Sequence, residues 1–325
     1  MNNVVGIDVA KATLAVCLVT LKGRETRQIS NDPKGFQQLH RWLKQRKASP
    51  AHVCLEATGI YGIEVAQFLH DRGYTVSVVN PARIQGFAHS QMRRSKTDQV
   101  DAEVIADFCQ AVQPPSWTPP PPAWYELRAL MRHMEDLQTI QQQETNRLET
   151  TSSPLVRAQL QEHIAFIGRQ IDQIKRQTRD HLQQHPALKQ QTDLLYSIPG
   201  IGELTAWRLV AEVRALTAFD DVRQLVAYVG LDPTRHDSGS SVRGSRHISR
   251  KGRAELRAAL YMPALSAMQH NPIVSAFAQR LRAQGKLPKQ VIVASMRKLL
   301  HLAYGILKSG RPFDAHYGQS SSLAT

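Results

Sequence analysis

Four acidic side chains stand out by their positions in the sequence. Asp8 lies in the middle of the apolar run VVGIDVA, and Glu56 ends the apolar run HVCLE. Asp98 and Asp101 are three residues apart in KTDQVDAEV, so on a helix they project from one face. A carboxylate among Val and Ile is costly to bury unless it is paired or binds a metal. Several carboxylates together suit Mg²⁺, and two such ions about 4 Å apart can hold the attacking and leaving oxygens of a phosphodiester displacement.

Each acid on its own also has a simpler interpretation. An aspartate in a strand is more often a turn or edge residue, and an Asp pair at a helix start is usually a cap and a partner of the helix dipole. The order strand Asp, strand-end Glu, helical Asp-x-x-Asp is much more specific, because it is the order of acids in an RNase H-like, RuvC-like metal nuclease core. The sequence therefore favours metal-dependent chemistry on phosphodiesters. The nearby Glu103 and Asp107 fall outside this pattern.

A second candidate for chemistry is the polar loop RHDSGSSVRGSRHISRKGR, residues 235–253, which places Ser238, Ser240 and Ser241 among glycines and basic side chains. A serine hydroxyl can attack a phosphodiester and conserve the energy of the cleaved bond in a covalent phosphoester. Ser and Gly are also turn formers, so the loop by itself does not identify a nucleophile. The sequence has no GxxxxGK[ST] phosphate loop, which agrees with chemistry that needs no ATP. The loop's candidates for phosphate contacts are Arg235, Arg243, Arg246, Arg250, Lys251 and Arg253.

The turn Pro199-Gly200-Ile201-Gly202 is a further candidate for nucleic-acid binding. It lies within LLYSIPGIGELTAWRLVAEV and resembles the hairpin of helix-hairpin-helix DNA-binding motifs. Backbone N–H groups around Gly200 and Gly202, at a helix N-terminus, can bind a phosphate without reading base sequence. A plain corner between two helices would have the same pattern, and the basic composition of the chain favours the phosphate interpretation.

The composition favours a polyanionic partner. The 325 residues carry a formal net charge of +14, and binding to DNA or RNA releases condensed counterions. The chain has no apolar run of about 18 residues, which a membrane helix requires, and no signal-peptide pattern. Cys17, Cys54 and Cys109 stand singly in apolar runs, which predicts buried side chains in a cytoplasmic protein.

The acids and the serine loop fall in different predicted domains. Residues 1–112 alternate strands and helices, which predicts an α/β domain with a sheet covered by helices. The proline-rich segment 113–122 predicts a stiff linker. Residues 123–190 predict a helical hairpin or coiled coil, and residues 191–325 predict a mainly helical globular domain that carries the serine loop.

The predicted hairpin has apolar residues at alternating three- and four-residue spacing, and TTSSP around Ser153 separates its two arms. Such a narrow stripe is more typical of packing against a helix, including one from another protomer, than of a cofactor site. The stripe comprises Leu127, Leu130, Met134, Leu137 and Leu148 in the first arm and Leu160, Ile164, Ile167, Ile171 and Ile174 in the second.

Eight motifs, spread in order over nearly the whole chain, resemble those of the DEDD transposases of the insertion-sequence one-hundred-and-ten family: GIDVAK, LEATGIY, VNPARIQGFA, KTDQVDAEVIADF, SIPGIGELTA, GLDPTRHDSGSSVRG, ISRKGRAELRAALYMPA and KSGRPFD. Members of this family are recombinases associated with a structured bridge RNA. Their N-terminal RuvC-like domain carries an acidic tetrad, and their C-terminal domain supplies a nucleophilic serine. The resemblance places the serine at Ser238 in DSGSSVRG and the tetrad at Asp8, Glu56, Asp98 and Asp101.

The resemblance implies a fold of class α/β plus α: an RNase H-like (RuvC-like) domain, a coiled-coil hairpin, and a mainly helical transposase domain with a helix-hairpin-helix-like element. It implies a composite site in which the acids of one domain act with the serine of the other, from the same or a different protomer. The implied cofactor is Mg²⁺. The implied partners are target and donor DNA, a bridge RNA that pairs with both, and further copies of the chain, arranged as a dimer of dimers.

A large basic surface without base-reading motifs agrees with a protein whose RNA partner reads the DNA sequence. Such a protein would associate with the nucleoid when active. The main alternative is a hydrolytic nuclease of the junction-resolvase type, which would use the same acids and water. A third hypothesis is a non-catalytic scaffold that only binds nucleic acid.

Overall fold

The computed structural model describes residues 3–57, 61–91, 97–212, 219, 221–234, 237–238, 242–243, 247–249 and 252–316. The chain forms two compact units, Met1–Pro119 and Pro120–Thr325. The boundary between them falls inside the segment that the sequence predicts to be a linker.

The described part of the first unit is built on a mixed sheet of five strands in the order β3-β2-β1-β4-β5. The neighbours β1–β2 and β2–β3 are antiparallel, and β1–β4 and β4–β5 are parallel. This order, with these directions, is the topology of the RNase H-like fold that the sequence predicts. The strands are β1 (Val4–Val9), β2 (Thr13–Thr20), β3 (Gly23–Ser30), β4 (His52–Glu56) and β5 (Thr75–Val79).

Helices cover both faces of this sheet. On one face α1 (Pro33–Gln45) and α2 (Ile63–His70) pack against Val5 and Ile7 of β1 and their neighbours. On the other face α3 (Pro81–Ser90) and α4 (Asp98–Val112) pack against small residues such as Cys17 and Cys54. The three cysteines are buried, as the sequence predicts.

The sequence does not predict the edge strand β3. Its residues GRETRQIS are mostly exposed and lack the apolar alternation that indicates a strand. The strand forms because the turn after β2 brings it back into register, with Thr20 opposite Gly23.

The proline-rich segment lies against the first unit. The Ser77 hydroxyl contacts the carbonyl oxygens of Pro114 and Pro115, at 3.0 and 2.8 Å. The Trp117 N–H donates to the Val76 carbonyl at 2.6 Å. These contacts hold the segment beside β5 before the chain enters the second unit.

The second unit is mainly helical. Many of its helices begin with proline at the first helical position, where the missing N–H costs nothing. The helices are α5 (Pro122–Thr150), α6 (Pro154–Gln184), α7 (Pro186–Tyr196), α8 (Glu203–Glu212), α9 (Val222–Val229), α10 (Ala254–His270), α11 (Pro272–Ala283) and α12 (Pro288–Ser309).

The helices α5 and α6 form an antiparallel hairpin. Near its tip Arg157 donates to the Leu148 carbonyl at 2.7 Å, and near its base His181 Nε2 lies 2.7 Å from the Ala123 carbonyl oxygen. The base of the hairpin belongs to the core of the second unit, where Trp124 Nε1 donates to Val210 of α8 at 2.9 Å. Within the part of the chain that the structure describes, no helix is long and apolar enough to cross a bilayer.

Candidate active site

Asp8 and Glu56 lie side by side at one edge of the sheet. β1 and β4 are parallel neighbours, paired in register as far as Ile7 opposite Leu55. Asp8 and Glu56 are the next residues on their strands, so their backbones are about 4.8 Å apart. Both side chains are half-buried.

The two carboxylates share a face of the sheet with α4. A Cβ at Gly6 would lie 2.2 Å from the Ala102 carbonyl oxygen, so Gly6 faces the backbone of α4. Asp8 is two residues further and therefore points to the same side. Glu56 follows Cys54 by two residues, and Cys54 packs in the cluster with Ala102. Alternation thus directs both acids towards α4.

The start of α4 lies at the same edge as these acids. The Cys109 thiol, in the last turn of α4, is 3.8 Å from the carbonyl oxygen of His52, the first residue of β4. From His52 to Glu56 the strand rises about 13 Å, and from Cys109 back to Asp101 the helix rises about 12 Å. Asp101 is therefore level with Glu56, and the helix runs antiparallel to the strand.

The first turn of α4 carries the remaining two acids. Thr97 caps the helix, and its hydroxyl accepts from the Val100 N–H at 3.3 Å. Asp98 is exposed and Asp101 is half-buried. The fold thus brings all four predicted acids to one edge, from β1, β4 and the first turn of α4.

Glu103 and Asp107 are engaged elsewhere on α4. The Arg24 guanidinium of β3 contacts Glu103 at 3.5 Å and Asp107 at 2.5 Å. These two acids face the β3 side of the helix, which agrees with their exclusion from the predicted tetrad.

The donor chemistry of the four acids fits a hard divalent cation, because all four offer carboxylate oxygens. In the described part of the chain, however, no three His, Cys, Asp or Glu side chains are close enough together to hold a metal ion as they stand.

Asn31 is a residue at this edge that sequence reasoning missed. Its side-chain amide donates to the Ala10 carbonyl at 2.9 Å and to the Tyr61 carbonyl at 3.1 Å. It thereby ties together the segments that follow Asp8 and Glu56. In the sequence Asn31 comes directly after β3, a strand that was not predicted, so no pattern indicated this role.

The described residues of the serine loop and of the segment just before it form two short antiparallel ladders. β6 (Pro233–Thr234) pairs with β9 (His247–Ile248), and β7 (Asp237–Ser238) pairs with β8 (Val242–Arg243). Ser238 lies opposite Val242. For Ser238 and Arg243 the structure describes the backbone alone. The predicted residues Arg235, Ser240, Ser241, Arg246, Arg250 and Lys251 lie outside the described residues.

The base of the serine loop is tightly closed. A Cβ at Gly252 would lie 2.2 Å from the Tyr228 carbonyl oxygen, and Gly230 has a φ of +75°. The Arg257 Nη1 donates to the carbonyls of Val229 and Gly252, both at 2.9 Å. These residues, which the sequence did not indicate, fix where the loop leaves and rejoins the helices.

Arg257→Met should open the base of the loop. Losing a charged donor that bridges two carbonyls removes about 1.5–3 kcal/mol per bond, so amide hydrogen exchange at Val229, Gly230 and Gly252 should become at least about tenfold faster. Hydrogen-exchange mass spectrometry of the full chain measures this. Arg311→Met, at an exposed position, should leave exchange at the loop base unchanged. Equal exchange in both variants would show that Arg257 does not hold the loop.

Arg253, a predicted phosphate contact, is engaged within the second unit. Its Nε donates to the Tyr228 hydroxyl at 3.2 Å, and its Nη1 lies 3.7 Å from Glu212 Oε2. Its side chain is still about one-third exposed.

In the predicted hairpin between α7 and α8, the two glycines differ in role. Gly200 has a φ of +102°, and a Cβ there would lie 2.5 Å from the Ala267 side chain of α10. Gly202 is exposed and has open space around it. Gly200 is therefore required by packing, whereas Gly202 is placed where a ligand could approach the start of α8.

Comparison with known proteins identifies the relatives of the chain. Residues 5–151 match a family model for DEDD transposases of the IS110 group, described as "Transposase", and residues 192–279 match a model described as "Transposase IS116/IS110/IS902 family". The pilin gene-inverting protein of Moraxella lacunata is 33% identical over 313 residues, which cover 95% of this chain and 97% of that protein. The transposase for insertion sequence element IS1328 of Yersinia enterocolitica is 26% identical over 290 residues, 77% of this chain and 82% of that protein.

Among solved structures, the T. thermophilus RuvC in complex with a Holliday junction substrate has 12% sequence identity and a TM-score of 0.27. The match covers 34% of this chain and 96% of that chain. A score this low supports no conclusion about fold or function.

Proposed function

This chain belongs to the IS110 family of DEDD transposases, and on that premise we propose that it is a site-specific DNA recombinase that cleaves and rejoins strands through a phosphoserine at Ser238. The observation that carries the proposal is the position of Asp8, Glu56, Asp98 and Asp101 at one edge of an RNase H-like sheet. That position suits a shared divalent cation, because all four side chains offer carboxylate oxygens.

The proposed reaction conserves the phosphodiester energy. The Ser238 Oγ attacks the scissile phosphorus, a bond from Oγ to phosphorus forms, and the bond from phosphorus to the 3′ oxygen breaks. The serine proton goes to solvent and the leaving 3′ oxygen takes one up from solvent, so the leaving strand ends as a 3′ hydroxyl. Attack by a 3′ hydroxyl of another strand on the phosphoserine then restores the serine hydroxyl and joins the strands.

In this proposal Asp8 and Glu56 would hold Mg²⁺, and Asp98 and Asp101 would complete the ligand set from the start of α4. When bound, Mg²⁺ supplies Lewis-acid stabilisation of the charge on the phosphate oxygens. The acids would act on the reacting phosphate only through the bound cation, because carboxylates repel a phosphodiester anion. The tight base of the serine loop restricts the positions that Ser238 can take.

The proposed partners are a bridge RNA, target and donor DNA, and further copies of the chain. A bridge RNA pairs with target and donor DNA, so the protein needs charge and shape complementarity rather than base-reading side chains, which agrees with the net charge of +14. The α5–α6 hairpin acts as a coiled coil that assembles protomers into a dimer of dimers. The turn at Gly202 binds a DNA phosphate in the manner of a helix-hairpin-helix motif.

The proposal predicts a covalent adduct that depends on Ser238. A nicked suicide duplex built from the DNA that flanks the coding region, with RNA transcribed from the same flanks and Mg²⁺, should trap the protein on DNA, visible as a shifted band in a denaturing gel. Ser238→Ala should lower adduct yield to background, because alanine has no nucleophile.

The matched controls are Ser240→Ala and Ser241→Ala, which should retain the adduct. An adduct lost in one of these but kept in Ser238→Ala would move the nucleophile to the other serine. Cleavage that survives Ser238→Ala without an adduct would support a hydrolytic nuclease of the junction-resolvase type instead.

A further inference from the structure

Three arginines surround one glutamate beside the end of the serine loop. Glu212 is the last residue of α8, and its side chain is 11% exposed. From α5, Arg128 and Arg132 approach Glu212 Oε1 with N···O distances of 3.7 and 3.5 Å. Arg253, which immediately precedes α10, approaches Oε2 at 3.7 Å. We call this group the Glu212 cluster.

The ion pairs of the Glu212 cluster are not closed by hydrogen bonds. Charge-assisted hydrogen bonds are about 2.7–2.9 Å long, and all three contacts are longer. Arg128 Nε and Glu212 Oε2 are buried and have no hydrogen-bond partner among the described residues. By contrast, Arg179 and Glu203 in the same unit form a two-bond pair at 2.9 and 2.7 Å. The Glu212 cluster therefore has guanidinium donors that a further acceptor can use.

The Glu212 cluster also has an excess of positive charge. Three guanidinium groups face one carboxylate, and the exposed Glu255 attracts Arg253 from α10. With both carboxylates counted, the cluster is still positive. Burial, opposed by the attraction of Glu212, lowers the pKa of Arg128, and repulsion from Arg132 and Arg253 adds to the lowering.

A neighbouring pair does not cancel this excess. Arg208, one turn earlier on α8, contacts Glu135 of α5 at 3.1 Å and Gln138 at 2.5 Å. The Arg208–Glu135 pair carries no net charge, although Arg208 Nε, like Arg128 Nε, is buried without a hydrogen-bond partner among the described residues. The surplus charge thus belongs to Arg128, Arg132 and Arg253.

The surplus charge is accessible from solvent. The side chains of Arg132 and Arg253 are 43% and 36% exposed, whereas Arg128 is 19% exposed and lies over the Trp124 ring at 5.2 Å. Two arginines can thus reach an external anion, while the buried Arg128 and Glu212 hold them in position.

We propose that the Glu212 cluster binds a backbone phosphate of the DNA strand that Ser238 attacks, with Arg132 and Arg253 donating to its oxygens. This inference rests on the proposed function. A phosphodiester supplies the two charged acceptor oxygens that the cluster lacks, and arginine forks match its geometry. Ser238 is six positions beyond Asp232, at the loop base, so their Cα atoms lie at most roughly 20 Å apart. Arg253 lies at the other end of the same loop, which places the cluster beside the segment that carries the nucleophile.

Salt-dependent DNA binding tests this site. Affinity of the full-length protein for a fluorescent duplex of arbitrary sequence is measured by anisotropy over a series of NaCl concentrations. Arg132→Gln should reduce the slope of log K against log salt by about 0.9, the value for one lost phosphate contact. Arg132→Lys should restore most of the slope, because it keeps the charge.

The matched control is Arg147→Gln, at the far end of α5, where Arg147 is more exposed and pairs with Glu144 at 3.1 Å. It should leave the slope unchanged. A slope unchanged in Arg132→Gln, with or without a lower melting temperature, would show that the cluster is only a structural ion network. An equal loss in Arg147→Gln would show diffuse electrostatics rather than a site. Absence of DNA binding by the wild-type protein, both with and without RNA transcribed from the flanking DNA, would instead refute the proposed function.

Discussion

In the Asp8→Asn variant, strand cleavage in the presence of Mg²⁺ is expected to be at least about a hundredfold slower than in the wild-type protein. Asparagine has the size of aspartate but no negative charge, so it is a poor ligand for a hard cation. Without the cation, the transition state loses several kcal/mol of charge stabilisation at the phosphate. Each loss of about 1.4 kcal/mol slows the reaction tenfold, so the expected decrease in rate is at least a hundredfold. The measurement is the single-turnover cleavage rate on the suicide duplex.

DNA binding and the melting temperature of Asp8→Asn should stay close to wild type, because the substitution keeps the shape of a half-buried side chain. Asp101→Asn should behave in the same way. Glu103→Gln, two residues further along α4, is the control, because Glu103 contacts Arg24 and faces away from the site. Full activity of Asp8→Asn, or equal losses in Glu103→Gln, would contradict the assignment of the acids.

The second large effect is expected at Gly6, which faces the backbone of α4. In Gly6→Ala the new Cβ would lie 2.2 Å from the Ala102 carbonyl oxygen and 2.4 Å from the Ala106 nitrogen. Both are backbone atoms that cannot rotate away, so the helix must move by about 1 Å. Overpacking of this kind costs about 3 kcal/mol, and for a unit of this size the melting temperature should fall on the order of 10 °C.

Gly6→Ala should also reduce cleavage, because moving α4 displaces Asp101 relative to Asp8, and a misplacement of 1 Å can cost about a hundredfold in rate. Differential scanning calorimetry and the cleavage assay measure the two effects. Gly86→Ala is the matched control within the same unit: it lies in α3 with no atom within 4 Å of the added Cβ. Alanine favours a helix by about 0.5–1 kcal/mol over glycine, so this control should be slightly more stable. A neutral result for Gly6→Ala would mean that α4 can shift freely.

Much of the first unit could be predicted from sequence. The apolar runs around Asp8 and Glu56 predict buried strands, and the Asp pair after Thr97 predicts a helix start, because these patterns depend on neighbouring residues alone. The edge strand β3 escaped prediction, because a polar, exposed strand has no such pattern. In the second unit the short ladders at Ser238 were also missed, since the glycines and serines of the loop indicate turns.

The sequence by itself determined the type of chemistry: the order of the four acids, the serine-bearing basic loop and the motifs that identify the family. These are local, and their residue types carry the chemical meaning. Only the tertiary structure decided which residues lie close together in space. Gly6 has no side chain to mark it, yet its contact with Ala102 sets the position of Asp101. Arg128 and Arg253 are far apart in the chain, and they meet at Glu212 because α5, α8 and the end of the serine loop pack together. Such convergence depends on packing between distant elements, which no local pattern encodes.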